Sequence, residues 1–123
     1  MNRLSKQMLD GNVETMLMAV LEAGPSYGYA LVKELNARAA GLLKLGEGTV
    51  YPVLHRMEEK GLVAAKWRKA ENGRERKYYH LSPAGKTALA RNRSQWDQLA
   101  SAMGRILELR GVPELRSNEG GES

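Results

Sequence analysis

The sequence predicts a mainly α fold with one small β-hairpin, closing in a long helix. Three observations carry that prediction. Apolar residues recur at three- and four-residue steps in successive stretches. Asn72-Gly73, two residues that tolerate positive φ, separates two segments of strand character. Beyond Ser82-Pro83 the helical pattern runs on for longer than a chain of 123 residues can cover with its own core.

The first helix is expected over residues 7–23, where Met8, Leu9, Val13, Met16, Leu17, Val20 and Leu21 form one apolar face. Gly24-Pro25 ends it. Ser26 is placed to cap a second helix with Leu31, Val32, Leu35 and Ala39 inward, and Gly41 supplies its left-handed stop. The third helix runs from about Glu47 to Lys60, with Gly61 at its end. Its inward stripe is Val50, Val53, Leu54 and Met57. At about 100° per residue, Gly48, Pro52, His55 and Glu59 project the other way, flanked by Tyr51 and Arg56.

Strand character follows at once. Leu62 to Lys69 sets Val63, Ala65 and Trp67 on one face and Lys66 and Arg68 on the other, so Trp67 is expected to serve as core or as support for the hairpin. A two-residue turn at Asn72-Gly73 leads into a second strand over Arg76 to Leu81. Ser82 as N-cap and Pro83 at the first helical position then open the fourth helix, expected to reach about Arg110.

On that helix Trp96, Leu99, Met103 and Ile106 step by three, four and three, a seam with heptad spacing, reinforced by Leu89 upstream and Leu107 beside it. A dimerisation helix is the simplest account. The chain therefore divides into residues 1–82, a winged helix-turn-helix, residues 83–111, the dimerisation helix, and residues 112–123, a flexible tail.

Charge narrows the function. A net charge of +5 favours a polyanionic partner, and its distribution says more than its total. Lys66, Arg68, Lys69, Arg74, Arg76 and Lys77 crowd the hairpin against only Glu71 and Glu75, as a phosphate-contacting wing requires. Double-stranded DNA is the expected partner. The chain has no cysteine, and its two histidines, His55 and His80, have no metal-spaced or triad-like cluster around them, so neither a metal nor a cofactor nor an enzymatic role is called for. No apolar run approaches a membrane span, and Met1 to Asp10 lacks a signal peptide's apolar core; a cytoplasmic location is expected.

Candidate DNA contacts follow from position. Lys44 and Thr49 stand where the third helix begins and can meet a phosphate. Tyr51 can direct its hydroxyl outward with its ring against the domain. His55 and Arg56 are placed to meet base edges. Lys66, Arg68, Arg74, Arg76 and Lys77 can follow the backbone. Each has a plainer alternative: a solvated lysine, a half-buried tyrosine, an intrahelical pair of Arg56 with Glu59, a charged and soluble hairpin edge. The main rival function is a winged-helix module that binds another protein through the same surface.

Four motifs in order, Tyr27-Gly28-Tyr29-Ala30-Leu31, Glu47 to Glu58, Gly61-Leu62-Val63 and Arg76 to Gly85, resemble the PadR family of bacterial transcriptional regulators, in its short form with one C-terminal helix. The resemblance spans roughly residues 10–90. It implies a homodimeric repressor on a pseudo-palindromic operator. One departure is Gly46, where many relatives are expected to carry a capping Ser or Asn. Some small relatives hold flat aromatic compounds between paired tryptophans at the dimer centre, so Trp96 is open to two readings, simple packing or a planar aromatic effector.

Overall fold

A computed structural model of the chain describes residues 4–9 and 11–109. In chain order it contains α1 (Lys6–Leu9), α2 (Val13–Leu21), β1 (Ser26–Tyr27), α3 (Gly28–Ala39), α4 (Glu47–Glu59), β2 (Val63–Lys69), β3 (Glu75–Leu81) and α5 (Pro83–Ile106). The strands form one antiparallel sheet in the order β1-β3-β2. The helices α2, α3 and α4, preceded by the single turn α1 and followed by a hairpin wing and a long last helix, form the winged helix-turn-helix that the hydrophobic spacing predicts.

Several boundaries differ for local reasons. The helix expected over residues 7–23 is two, α1 and α2, because the backbone takes φ +82° at Gly11 and Asn12 Nδ2 donates to the Met8 carbonyl at 2.8 Å. Ser26 does not cap α3. It pairs with Tyr79 while Tyr27 pairs with Tyr78, adding a two-residue third strand that was too short to show any periodicity. The left-handed stop expected at Gly41 is present, φ +86°, but it begins one residue earlier, with Ala40 at φ +51°. The hairpin turn is longer than two residues. Ala70 N–H donates to Arg74 O and Gly73 N–H to Ala70 O, which makes a three-residue loop with Gly73 at φ +85°. Helix α5 stops at Ile106, short of Arg110, where Glu108 turns left-handed; Arg110 and the tail at 112–123 lie outside the described residues.

The first compact unit runs through Leu89 and the second begins at Ala90. The core of the first is built from Val13, Leu17, Met18 and Leu21 of α2, Leu31 and Leu35 of α3, Val50, Val53, Leu54 and Met57 of α4, and Val63, Tyr79 and Leu81 of the sheet. Leu17, Leu31, Leu54 and Met57 are essentially fully buried, each contributing about 1.5–3 kcal/mol of apolar burial. Among the described residues no charged or polar side chain is buried. Leu89, expected on the dimer seam, is instead 2% exposed in this core, because the first turns of α5 cap it.

Two motifs fasten that junction. Ser82 Oγ donates to Gly61 O at 2.6 Å and accepts from Gly85 N–H at 3.0 Å, while Ser82 N–H donates to Leu62 O. Gly85 lies so close to the Leu62 carbonyl that a Cβ would overlap it. The Gly61-Leu62 and Ser82-Pro83-Ala84-Gly85 segments thus account for each other sterically.

Candidate nucleic-acid interface

Helix α4 is held by its inner stripe, and that decides what it shows outside. With Val50, Val53, Leu54 and Met57 in the core, Thr49, Pro52, His55, Arg56 and Glu59 are exposed and Tyr51 is half-buried on the flank. Gly46 at the N-cap offers no side chain; its carbonyl accepts from Thr49 and Val50 N–H, both at 3.1 Å. The start of α4 is fixed from elsewhere. Asn36 of α3 reaches Leu45, its Oδ1 accepting the Leu45 N–H at 2.8 Å and its Nδ2 donating to the Leu45 carbonyl at 2.7 Å and to Val32 O at 3.0 Å. Leu45 itself is 5% exposed. Asn36 was missed in the sequence because its partner lies in a loop that carries no periodic signal.

Pro52 sits inside α4, beyond the first turn. Its missing N–H leaves the carbonyl four residues back, that of Gly48, without a helical partner, and that carbonyl belongs to an exposed residue where water can serve.

The exposed side chains fall into three groups. Lys44, Thr49 and Arg56 line one flank of α4 together with Gly48, Pro52 and Lys60. Lys60 is engaged there, its Nζ 2.8 Å from Glu14. On the other flank, Tyr51 and His55 line a groove together with Gly28 and with Trp67, Arg74 and Lys77 of the hairpin. The remaining wing cations, Lys66, Arg68 and Arg76, lie on the opposite sheet face with Tyr78 and His80, Arg76 directly across from Arg68. Strand alternation therefore splits the five expected wing contacts between two surfaces.

Stacking gives that second face its order. The Arg68 and Arg76 guanidinium groups lie 4.3 Å from the ring centres of Tyr78 and Tyr27, and the two rings meet edge to face at 5.4 Å. Such contacts contribute about 0.5–1 kcal/mol each at exposed sites. They also hold the two guanidinium groups against the tyrosine rings.

Two wing and helix groups are electrostatically coupled. Lys77 Nζ is 3.0 Å from Glu58 Oε1, which ties β3 to the end of α4. The hydrogen bond that Lys77 donates to Glu58 raises the Lys77 pKa above its ordinary value. The Tyr51 phenol is raised too, first by burial and then by the negative charge of Glu47. At neutral pH both groups keep their protons, so Tyr51 presents a donor and Lys77 a charge already shared with a carboxylate.

In the second unit, Trp96, Leu99, Met103 and Ile106 are 45%, 50%, 42% and 72% exposed along α5. Leu107, 53% exposed, lies in the turn after the helix, its N–H donating to Met103 O. Of the two roles expected for Trp67, a place in the core is overturned: it is 66% exposed, since the core ends before the hairpin does. Among the described residues there is no group of three or more His, Asp or Glu suited to a metal ion, and no helix is long and apolar enough to cross a membrane.

A mainly α domain with this hairpin and an outward-facing α4 has the architecture of a winged-helix transcriptional regulator. Residues 17–91 match the model of the transcriptional regulator PadR-like family, and the chain belongs to that family. It is 36% identical over 74 residues to the transcriptional regulator Rv3488 of Mycobacterium tuberculosis, an alignment covering 60% of this chain and 65% of that one. Solved structures agree in fold. A PadR-like transcriptional regulator from Bacillus cereus is 28% identical with a TM-score of 0.75, over 85% of this chain and all (100%) of the other. A PadR family transcription regulator from Clostridium difficile is 31% identical with a TM-score of 0.72, over 79% and 99%. The family and these neighbours are transcriptional regulators.

Proposed function

We propose that this regulator binds duplex DNA as a homodimer and represses transcription from a pseudo-palindromic operator, with residues 1–82 as the reading domain and 83–111 as the dimerisation helix. The observation that carries the reading is the outer face of α4. Its buried stripe turns Tyr51, His55 and Arg56 outward on a helix flanked by the cationic hairpin. Arg56 is assigned to guanine edges, His55 to bases or phosphates, Tyr51 and Thr49 to the backbone, and Lys44 to a phosphate where α4 begins. Of the wing cations, Arg74 is the best placed for the strand that runs past α4; Lys77 acts with its Glu58 partner. Lys66, Arg68 and Arg76 add to the positive field from the stacked face.

The row Trp96, Leu99, Met103, Ile106 supports a second copy of the chain as the partner of α5, with Leu107 at its end. Trp96 stands within that row, and two facing indoles would make a flat slot suited to a planar aromatic effector. Such a ligand could act only by favouring one spacing of two α4 helices that must sit about 34 Å apart on DNA.

Gel shifts with duplexes from the DNA beside the gene, run at several salt concentrations, test the central claim. Affinity should fall steeply with salt. Arg56→Ala should weaken binding to the specific duplex more than to a mixed-sequence one, and Arg74→Ala should weaken both and shallow the salt slope by about 1. If no duplex is bound even at low salt, the surface belongs to a protein partner instead. Planar cationic and phenolic compounds that change neither tryptophan fluorescence nor DNA affinity would remove the effector.

A further inference from the structure

Trp67 is the largest side chain on the wing and it is 66% exposed. It is no accident of a disordered strand, because β2 pairs with β3 residue by residue and sets Trp67 directly across from Lys77, on the sheet face that carries Val63 and Tyr79 into the core. The same face is 2% exposed at Val63 and 5% at Tyr79. Trp67 is therefore the continuation of an apolar face past the edge of the core. An isolated apolar residue at a surface needs no explanation, but this one forms a wall of the groove between the hairpin and α4, facing Tyr51 and His55.

The composition of that groove selects its occupant. Arg74 and Lys77 line it beside Trp67, with Glu75 at its edge, while the Arg76 guanidinium is stacked on Tyr27 on the other sheet face. Lys77, across from Trp67 in the sheet, is anchored to Glu58, which leaves Arg74 as the cation to be matched. A flat apolar plate next to a cation fits a strand of nucleic acid, whose deoxyribose faces and thymine methyls are apolar and whose phosphates are charged. An apolar peptide would leave that cation unmatched, and a purely anionic ligand would leave the indole unused.

We propose that Trp67 is a DNA-contacting residue of the wing, its indole lying against the sugars and base edges of the duplex strand that passes between the hairpin and α4. This deepens the DNA-binding reading and rests on it. Contact of this kind carries little sequence information and releases no counterions, which separates it from the work of Arg56 and Arg74.

The test uses the whole chain, mixed-sequence duplex DNA and the specific duplex. Trp67→Ala should weaken binding to both by on the order of tenfold with an unchanged salt slope, whereas loss of a wing cation changes the slope. Duplex should also quench or shift the intrinsic fluorescence of the unsubstituted protein, and Trp67→Phe should abolish most of that change while restoring part of the affinity. Urea unfolding of each variant checks that the hairpin remains folded; if the alanine variant is unfolded, the phenylalanine variant decides. Wild-type affinity in Trp67→Ala, or a full fluorescence response in Trp67→Phe, overturns the assignment while leaving DNA binding intact. Failure of the unsubstituted chain to bind any duplex overturns both.

Discussion

The ring of Tyr51 on α4 rests on the backbone of Gly28 at the start of α3, so closely that a Cβ at position 28 would overlap the ring. This contact decides where the Tyr51 hydroxyl points. It gives the Tyr27-Gly28-Tyr29 segment a steric purpose: Tyr27 pairs into the sheet, Gly28 makes room, and the chain turns into α3.

Gly28→Ala is expected to rotate Tyr51 away at a cost of about 1–3 kcal/mol, since the ring has solvent on one side in which to move. DNA affinity should fall by more than the stability loss explains. Urea denaturation and gel shifts on the same preparation compare the two. A companion Tyr51→Ala change should make the Gly28→Ala effect on stability largely disappear, because the clash is then gone.

Asn36→Leu is expected to destabilise the fold by about 1–3 kcal/mol, because it leaves the N–H and C=O of a buried residue, Leu45, without their partner. Asn36→Asp should be milder for the N–H and worse for the carbonyl, which then faces a second acceptor. Amide hydrogen exchange at Leu45 and along the first turn of α4 reports the loosening directly. Unchanged protection there would assign the clamp no role in setting α4.

Replacing Leu99 and Met103 together with glutamate is expected to yield a monomer that keeps its helix-turn-helix core, since neither residue belongs to that core and both are about half exposed. Sedimentation measures the mass, and operator affinity should fall with it by about 100-fold or more as the benefit of two linked sites is lost. A variant that remains dimeric would place the interface elsewhere.

The pH response should be alkaline. Lys77 and Tyr51 both have folded-state pKa values above their ordinary ones, 10.5 and 10.0. Each contribution is therefore fully present below the ordinary value and is lost as pH rises through the raised folded one. Stability should be insensitive to these groups from pH 6 to about pH 9 and decline above about pH 10. Tyr51→Phe and Glu58→Gln should each flatten part of that decline, read as urea midpoints across the range. The Lys77–Glu58 pair is partly exposed, so its coupling in a double-mutant cycle should be only about 0.5 kcal/mol.

Much of this protein was legible in its sequence. The spacing of Val50, Val53, Leu54 and Met57 fixed which side of α4 is buried, because a helix has one period and those residues have one place to go. The Ser82-Pro83 start of α5 and the left-handed Gly61 after α4 were likewise local matters of backbone stereochemistry. Other features depended on partners distant in the chain. Sequence alternation put Trp67 on the apolar face of β2 correctly, yet only the extent of the core showed that this face ends before Trp67 does. Leu89 has the spacing of the α5 row, and only packing revealed that the first turns of that helix close the core. Strand β1 exists because β3 is there to pair with it. Local periodicity determines which face of an element is apolar; how far that face is covered is set by tertiary contacts, which no single segment encodes.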